Sequence, residues 1–121
     1  MDEKFNILEN ICAEIQDRDA NPKENSYTNY LLNKGLEKIC KKVGEESAEV
    51  IIAAIKDDKE NLINEISDLA YHVLILMYKR NITLQDIAEK LKERTTVKGN
   101  LKQTNTGLGF HAEKLMNQKT Q

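Results

Sequence analysis

The sequence predicts an all-α fold, a helical bundle of four to five helices. Along most of the chain, apolar residues recur at intervals of three and four, which is the spacing that places them on one face of a helix. The 121 residues include one Pro, five Gly and no Trp, so few positions would interrupt a helix. A chain of this length suits one domain with a modest apolar core.

The first two predicted helices lie on either side of a polar loop. Apolar residues at helical spacing indicate a helix over residues 3–17, which ends before the helix-breaking Pro22. Ser26 and Thr28 then offer side-chain oxygens as N-caps for a short second helix. Gly35 is a candidate terminator of that helix, because glycine readily adopts the backbone conformations at which helices end.

The next two predicted helices are long and follow each other across a tight connection. Apolar residues keep helical spacing over both segments. Asp57, with Glu60 three residues later, resembles a capping box at the start of the second segment. Asn81 is a candidate left-handed terminator at its end. We therefore expect helices over residues 36–56 and 58–80, packed as an antiparallel hairpin.

The end of the chain combines one more predicted helix with a polar segment. Thr83 and Asp86 repeat the cap signature before a helix that reaches about Arg94. The residues that follow are polar and rich in Thr, Asn, Gln and Lys, with little periodic apolar pattern. The expected organisation is an all-α domain over residues 1–94 and a polar C-terminal tail over residues 95–121.

The composition argues against several classes of function. The 20 acidic and 18 basic residues give a net charge of −2, which provides no electrostatic case for nucleic acid or an anionic membrane as partner. No stretch reaches transmembrane length, and the N-terminus lacks the pattern of a signal peptide. Cys12 and Cys40 have no partner at metal-ligand spacing, so neither a zinc site nor a disulfide framework is suggested. We therefore expect a cytoplasmic protein.

Acidic residues interrupt the apolar stripes of both long helices. Glu46 takes an inward position of the first long helix, and Glu49 projects from nearly the same side three residues later. Glu65 and Asp68 repeat this spacing on the second long helix. If the two helices form a hairpin, the four acids converge. The alternative is that they belong to the solvated surface of a non-catalytic helical dimerisation module.

Converging carboxylates predict a bound cation. Desolvating an ionised carboxylate without a partner costs several kcal/mol, and four together would repel one another. A ligand set made only of oxygen suits a hard cation, so Mg²⁺ is the expected cofactor, with Mn²⁺ as the alternative. Such ions often take substrate phosphates as their remaining ligands, which points to phosphate chemistry.

Basic residues and one histidine complete the set of candidates. Lys34, Lys38 and Lys42 follow each other at four-residue steps toward the acids, and could meet phosphate groups or form ordinary ion pairs along a helix. His72 lies four residues after Asp68, on the face that carries the acids. There a neutral, buried histidine is favoured over a catalytic one, and a substrate contact is a further candidate role.

Two sequence motifs resemble a known superfamily. Gly44-Glu45-Glu46-Ser47-Ala48-Glu49, followed by Glu65-Ile66-Ser67-Asp68, is similar to the EExxE…ExxD pattern of the MazG-like all-α NTP pyrophosphohydrolases. The surrounding sequence, from about residue 5 to 94, resembles the phosphoribosyl-ATP pyrophosphohydrolase family of histidine biosynthesis. The stretches that carry this second resemblance are Ser26-Tyr27-Thr28, Lys34-Gly35-Leu36-Glu37-Lys38-Ile39, Lys41-Lys42-Val43-Gly44-Glu45-Glu46, Asn64-Glu65-Ile66-Ser67-Asp68-Leu69 and Tyr71-His72.

The resemblance implies a Mg²⁺-dependent hydrolase on a fold that dimerises. The implied reaction converts phosphoribosyl-ATP to phosphoribosyl-AMP and pyrophosphate, the second step of histidine biosynthesis. The implied metal ligands are Glu46, Glu49, Glu65 and Asp68. Glu45 or Glu46 would accept a proton from the attacking water, and Asn64 would contact the ribose or base. A second interpretation keeps the superfamily but makes the substrate a non-canonical NTP or dNTP.

Overall fold

The computed structural model describes residues 3–96, and the side chains of residues 6–96. Within that range the chain forms five helices and no strand. The helices are α1 (Glu3–Ala20), α2 (Tyr27–Lys34), α3 (Leu36–Ile55), α4 (Lys59–Lys79) and α5 (Leu84–Thr96). This confirms the predicted all-α fold of four to five helices. None of these helices is long and apolar enough to cross a membrane.

The chain divides into two compact units, the first ending at Thr83 and the second beginning at Leu84. The first unit contains α1 to α4, and α5 belongs to the second. The predicted division into a domain over residues 1–94 and a tail over residues 95–121 stays a prediction, because residues 97–121 lie outside the described part of the chain.

Three helix boundaries follow the cap chemistry of the sequence, but Thr28, the other predicted N-cap of α2, lies inside that helix. Ser26 Oγ accepts a hydrogen bond of 3.1 Å from the Asn29 backbone N–H at the start of α2. Gly35 separates α2 from α3 with a φ of +92°, and Asn81 adopts the left-handed φ of +60° expected after α4. Each of these three boundary residues was predicted from the sequence.

The start of α4 differs from the prediction by one residue. Asp58, not Asp57, is the N-cap, and its Oδ1 accepts a 3.1 Å hydrogen bond from the Asn61 backbone N–H. Asp57 instead adopts a φ of +57°, which aspartate tolerates better than most residues. The capping box predicted for Asp57 is therefore wrong. Its physical reason is that the tight turn needs this residue in the left-handed conformation.

The first unit is built around the pairing of α3 with α4. These two helices pack on each other more extensively than any other pair, while α1 packs on α4 and α2, and α2 packs on α3. The largest fully buried side chains come from all four helices: Ile15, Leu31, Ile39 and Ile75. Burying a side chain of this size contributes about 1.5–3 kcal/mol. The core therefore holds α3 and α4 against each other.

The loop between α1 and α2 is organised by one buried amide. Asn29 Nδ2 donates a 2.8 Å hydrogen bond to the Arg18 carbonyl, and Asn29 Oδ1 accepts a 3.0 Å hydrogen bond from the Lys23 backbone N–H. Near the C-terminal end of α4, the Tyr78 hydroxyl donates a 2.6 Å hydrogen bond to Asp19 Oδ2 of α1. These side chains fix the direction in which α2 leaves α1.

We predict that Asn29→Ala destabilises the protein by about 2 kcal/mol, because two backbone groups of the loop lose their partner while partly shielded from water. Asn33→Ala is the matched control, since Asn33 lies on the exposed side of the same short helix. Urea unfolding of the parent and both variants measures the difference. Equal destabilisation by the two substitutions would contradict a specific role for Asn29.

Candidate metal centre

Glu46 occupies a position where the packing of α3 calls for an apolar side chain. The buried residues of α3 are Ile39, Glu46 and Ala53, which are spaced seven residues apart and so lie along one line of the helix. Glu46 is only 8% exposed. Its Oε2 is buried and has no hydrogen-bond partner among the described residues. A buried carboxylate oxygen without a partner is costly unless something positive binds it.

Three carboxylates meet at this position. Glu46 and Glu49 come from α3 and Glu65 from α4, and one oxygen of each lies within 4.8 Å of the others. Glu65 Oε2 is the second buried carboxylate oxygen that has no hydrogen-bond partner within residues 6–96. The predicted convergence of these acids across the α3–α4 hairpin is thus observed for three of the four residues.

The electrostatic effect of the cluster is seen in the pKa of Glu65. A hydrogen bond with the Glu49 side chain raises the pKa of Glu65 to about 7. Desolvation and the negative charges of Glu49, Glu46 and Asp68 add to this effect. Without a cation, the pKa of Glu65 therefore lies near neutral pH. This is the response expected of like charges that cannot all remain ionised together.

The cluster fits a hard divalent cation. All three side chains offer oxygen, the preferred ligand of Mg²⁺ and Mn²⁺, and two of their oxygens are buried without a partner. An ion at this place would remove the repulsion that otherwise forces a proton onto Glu65. Asp68 is close enough for its charge to raise the pKa of Glu65, but its carboxylate is not part of the group within 4.8 Å. Its role as a fourth ligand stays a prediction.

A cleft of about 290 Å³ opens beside two of these carboxylates. Its walls are Glu49 and Ile52 from α3, and Asn61 and Glu65 from α4. Sequence reasoning missed Asn61, although it lies four residues before Glu65 and so faces the same way. Asn64, the asparagine that the resemblance had suggested, is exposed and does not line this cleft.

The three lysines do not form one continuous row. Lys34 ends α2, before Gly35, and its Nζ lies 5.8 Å from the centre of the Tyr30 ring. Lys38 and Lys42 lie one turn apart on α3, and Lys38 is partly buried. The predicted four-residue spacing is therefore present in sequence, but the helix break at Gly35 places Lys34 on a different element.

Lys42 is the basic residue that contacts the acids. Its Nζ lies 3.6 Å from Glu45 Oε1 and 3.8 Å from Glu46 Oε1. Desolvation lowers the pKa of Lys42, but the nearby Tyr27, Glu45 and Glu46 raise it by more, so its pKa is above the usual value. At these distances the pairs are loose and contribute little stability by themselves. The two acids therefore hold the Lys42 ammonium only weakly.

An aromatic group connects α2 to the acid-bearing part of α4. The Tyr27 hydroxyl lies 2.8 Å from His72 Nε2, and His72 Nδ1 lies 2.7 Å from the Asp68 carbonyl oxygen. The Thr28 hydroxyl is hydrogen-bonded to the Tyr71 hydroxyl. His72 is 5% exposed, and both its ring nitrogens are engaged within the protein. Its predicted contact with substrate stays a prediction.

Comparison with known proteins gives a consistent result over most of the chain. Residues 8–95 match the family model described as Phosphoribosyl-ATP pyrophosphohydrolase. A protein of Clostridium acetobutylicum named Phosphoribosyl-ATP pyrophosphatase is 54% identical over 92 residues, which is 76% of this chain and 84% of the relative. A Clostridium botulinum protein of the same name is 53% identical over 89 residues, covering 74% and 81%.

A longer relative contains the same region. The Histidine biosynthesis bifunctional protein HisIE of Thermoanaerobacter pseudethanolicus is 58% identical to this chain over 88 residues, which is 73% of this chain and 41% of the relative. The matched segments include the whole acidic cluster. The similarity therefore covers both the helical fold and the residues that form the candidate centre.

We predict that the metal-free protein loses stability as the pH rises from 5 to 7.5, because of Glu65. Between its ordinary pKa of 4.5 and the folded value of about 7, the folded state binds a proton that the unfolded chain has released. Stability therefore falls as pH rises through this window. Thermal midpoints in EDTA at several pH values test this, with Glu65→Gln as reference. If the difference in thermal midpoint between the parent and Glu65→Gln did not change with pH, the raised pKa of Glu65 would be contradicted.

We predict that Glu46→Gln reverses its effect on stability when metal is added. In EDTA the variant should be at least as stable as the parent, since one charge of the cluster is gone. With millimolar Mg²⁺ the parent should become the more stable protein, because only its site binds the ion fully. Glu45→Gln is the control and should keep the metal-induced gain. A Glu46→Gln protein clearly destabilised in EDTA would mean that Glu46 has a structural partner.

Proposed function

This chain belongs to the phosphoribosyl-ATP pyrophosphohydrolase family, and we propose that it hydrolyses phosphoribosyl-ATP to phosphoribosyl-AMP and pyrophosphate. This is the second step of histidine biosynthesis, and the enzyme is a hydrolase of a phosphoric anhydride bond. The observation that carries the proposal is the convergence of Glu46, Glu49 and Glu65, two of them with unpartnered buried oxygens, inside the segment that matches the family.

We propose Mg²⁺ as the cofactor, with Mn²⁺ as a possible substitute. Glu46, Glu49 and Glu65 would hold the ion, and Asp68 would complete the set from the next turn of α4. When bound, Mg²⁺ supplies positive charge for the phosphate oxygens and lowers the pKa of a water molecule. The all-oxygen composition of the cluster and the raised pKa of Glu65 support this choice.

The lysines are the proposed partners of the substrate phosphates. The ammonium of Lys42 already lies between Glu45 and Glu46, so a phosphate oxygen could replace one of these loose ion pairs. Lys38 lies one turn before it, and Lys34 approaches from the end of α2. The pyrophosphate product carries more negative charge than one divalent ion neutralises, which is the physical reason for several basic residues.

Glu45 and Glu46 are both proposed as the acceptor of the proton from the attacking water. Glu45 is exposed and Glu46 is buried, and both face Lys42. A carboxylate beside a lysine can accept a proton when the lysine turns to a phosphate group. The choice between the two acids stays open. Asn64 and His72 are retained as proposed contacts of the ribose or base.

The cleft suggests that substrate binding involves a second copy of the chain. Its volume of about 290 Å³ is at the lower end of ligand pockets, enough for phosphate groups but small for a whole phosphoribosyl nucleotide. Large exposed apolar side chains also lie on the two helices that form it: Ile51, Ile52, Ile55, Ile63 and Ile66. We propose that a homodimer covers this surface and completes the substrate site.

The dimer predicts a molecular mass near twice that of the 13.9 kDa chain in sedimentation equilibrium at micromolar concentration. Ile55→Lys, at a side chain that is 79% exposed, should weaken the association, because it places a charge in a surface from which water must be removed. Lys59→Glu, just beyond the connection, serves as a control for a change of surface charge. A parent that sediments as a single 14 kDa species would contradict the dimer.

A cytoplasmic location is also part of the proposal. Cys12 and Cys40 are free thiols, which suits a reducing compartment.

A second candidate function keeps the same centre but acts on non-canonical NTPs or dNTPs, since the acidic cluster alone would serve any nucleoside triphosphate. The third interpretation, a non-catalytic dimerisation module, would leave the unpartnered carboxylates without an explanation.

We predict that the purified protein releases pyrophosphate from phosphoribosyl-ATP with a kcat/KM at least about 100-fold above that for ATP or any dNTP of a panel. Glu46→Gln should lower this activity by at least about 100-fold, since a lost ligand weakens the stabilisation of charge in the transition state. Preference for a dNTP would favour the second candidate function. Absence of turnover with every nucleotide, in the presence of Mg²⁺, would favour the dimerisation module.

A further inference from the structure

The hydrogen bonds around His72 determine where its proton lies. The Asp68 carbonyl oxygen can only accept, so His72 Nδ1, at 2.7 Å, must carry the hydrogen and donate it. In a neutral imidazole the other nitrogen, Nε2, is then an acceptor. The Tyr27 hydroxyl, 2.8 Å from Nε2, must donate its proton to the ring. A chain of hydrogen bonds therefore runs from the Tyr27 hydroxyl through the His72 ring to the backbone carbonyl of Asp68.

This arrangement leaves the Tyr27 oxygen with acceptor capacity only. Tyr27 is 45% exposed as a residue, although the proton of its hydroxyl is committed to His72. Burial raises the pKa of this hydroxyl, and the charges of Lys42 and Glu46 also influence that pKa. An oxygen of this kind accepts a hydrogen bond from an ammonium group such as Lys42. It cannot donate to a phosphate.

The ring of Tyr27 packs on His72, which also binds its hydroxyl, and on two other tyrosines. It stands edge-on to the His72 ring at 5.6 Å, and stacks with Tyr71 at 6.5 Å and with Tyr30 at 6.0 Å. These separations are those of favourable aromatic pairs. His72 is buried and hydrogen-bonded through both ring nitrogens, so it links Tyr27 of α2 to the backbone of α4 at Asp68.

We propose that Tyr27 is a positioning residue of the metal centre, which acts through His72 on the turn of α4 that bears Asp68 and Glu65. The inference rests on the proposed metal-dependent function. Groups that orient metal ligands by hydrogen bonds typically change metal affinity by about 10- to 100-fold when they are removed. Tyr27 contributes this effect without touching the ion.

The first test uses the metal-free protein and is independent of activity. The chain contains only two histidines, and a His111→Gln variant identifies the imidazole signals of His72 in ¹⁵N-correlated NMR spectra. We expect the neutral His72 ring to carry its proton on Nδ1. A proton on Nε2 would make Tyr27 the acceptor and would overturn the proposal.

The second test measures metal affinity from the rise of the thermal midpoint during titration with Mg²⁺ and Mn²⁺. Tyr27→Phe removes only the hydroxyl and should weaken metal binding by about tenfold. Tyr30→Phe is the matched control, because Tyr30 is similarly exposed and stacks on the same ring, and it should bind metal like the parent. Any loss of stability that is present in EDTA cancels in the metal-dependent difference. Equal affinity of Tyr27→Phe and the parent would overturn the proposal.

The third test asks whether Tyr27 acts through His72. His72→Gln and the double variant with Tyr27→Phe complete a double-mutant cycle. We expect the double variant to bind metal as weakly as His72→Gln alone, while fully additive losses would overturn the proposed route. A parent that gains no stability from either metal defeats the proposed function, and with it the effect on metal affinity. The NMR result in metal-free protein separates that failure from a failure of the hydrogen-bond chain.

Discussion

Three carboxylates held between two packed helices are the constraint on which the first unit depends. The negative charges of these residues, Glu46, Glu49 and Glu65, repel one another. The contact between α3 and α4 that brings them together is nevertheless the most extensive one between helices of the described residues. Apolar layers on either side make this possible. Ile39 and Ala53, one heptad before and after Glu46, are completely buried. Their burial holds the two helices close together against the repulsion between the acids.

The sequence predicted those parts of the structure that depend on local chemistry. Helical spacing and the N-cap at Ser26 locate their elements because each depends on residues within one turn. The meeting of Glu49 with Glu65 was also predictable, although it is a tertiary contact. The connection between α3 and α4 is so short that the two helices must run back along each other, which places residues at equal distances from the turn side by side.

The features that the sequence did not predict depend on choices between similar residues or on distant contacts. Asp57 and Asp58 are chemically identical candidates for the cap, and only the geometry of the turn distinguishes them. Tyr27 and His72 are 45 residues apart, and no periodicity links a residue on a short helix to one on a long helix. Asn61 was missed for a different reason. Asparagine at a helix start has an ordinary local explanation, which conceals its place in the cleft.

The junction at Gly35 has a consequence for the handedness of the residue that can occupy it. Its φ of +92° and ψ of −174° belong to a region that is almost exclusive to glycine. Apart from Gly35 and its two chain neighbours, no atom of the described residues lies within 4 Å of an added Cβ, so the obstacle to replacement is conformational and not steric. With both signs reversed, the same angles fall in the ordinary extended region. A D-alanine would therefore adopt this conformation without strain. None of the other genetically encoded amino acids shares that mirror-image preference. The separation of α2 from α3 therefore depends on the one achiral residue of the genetic code.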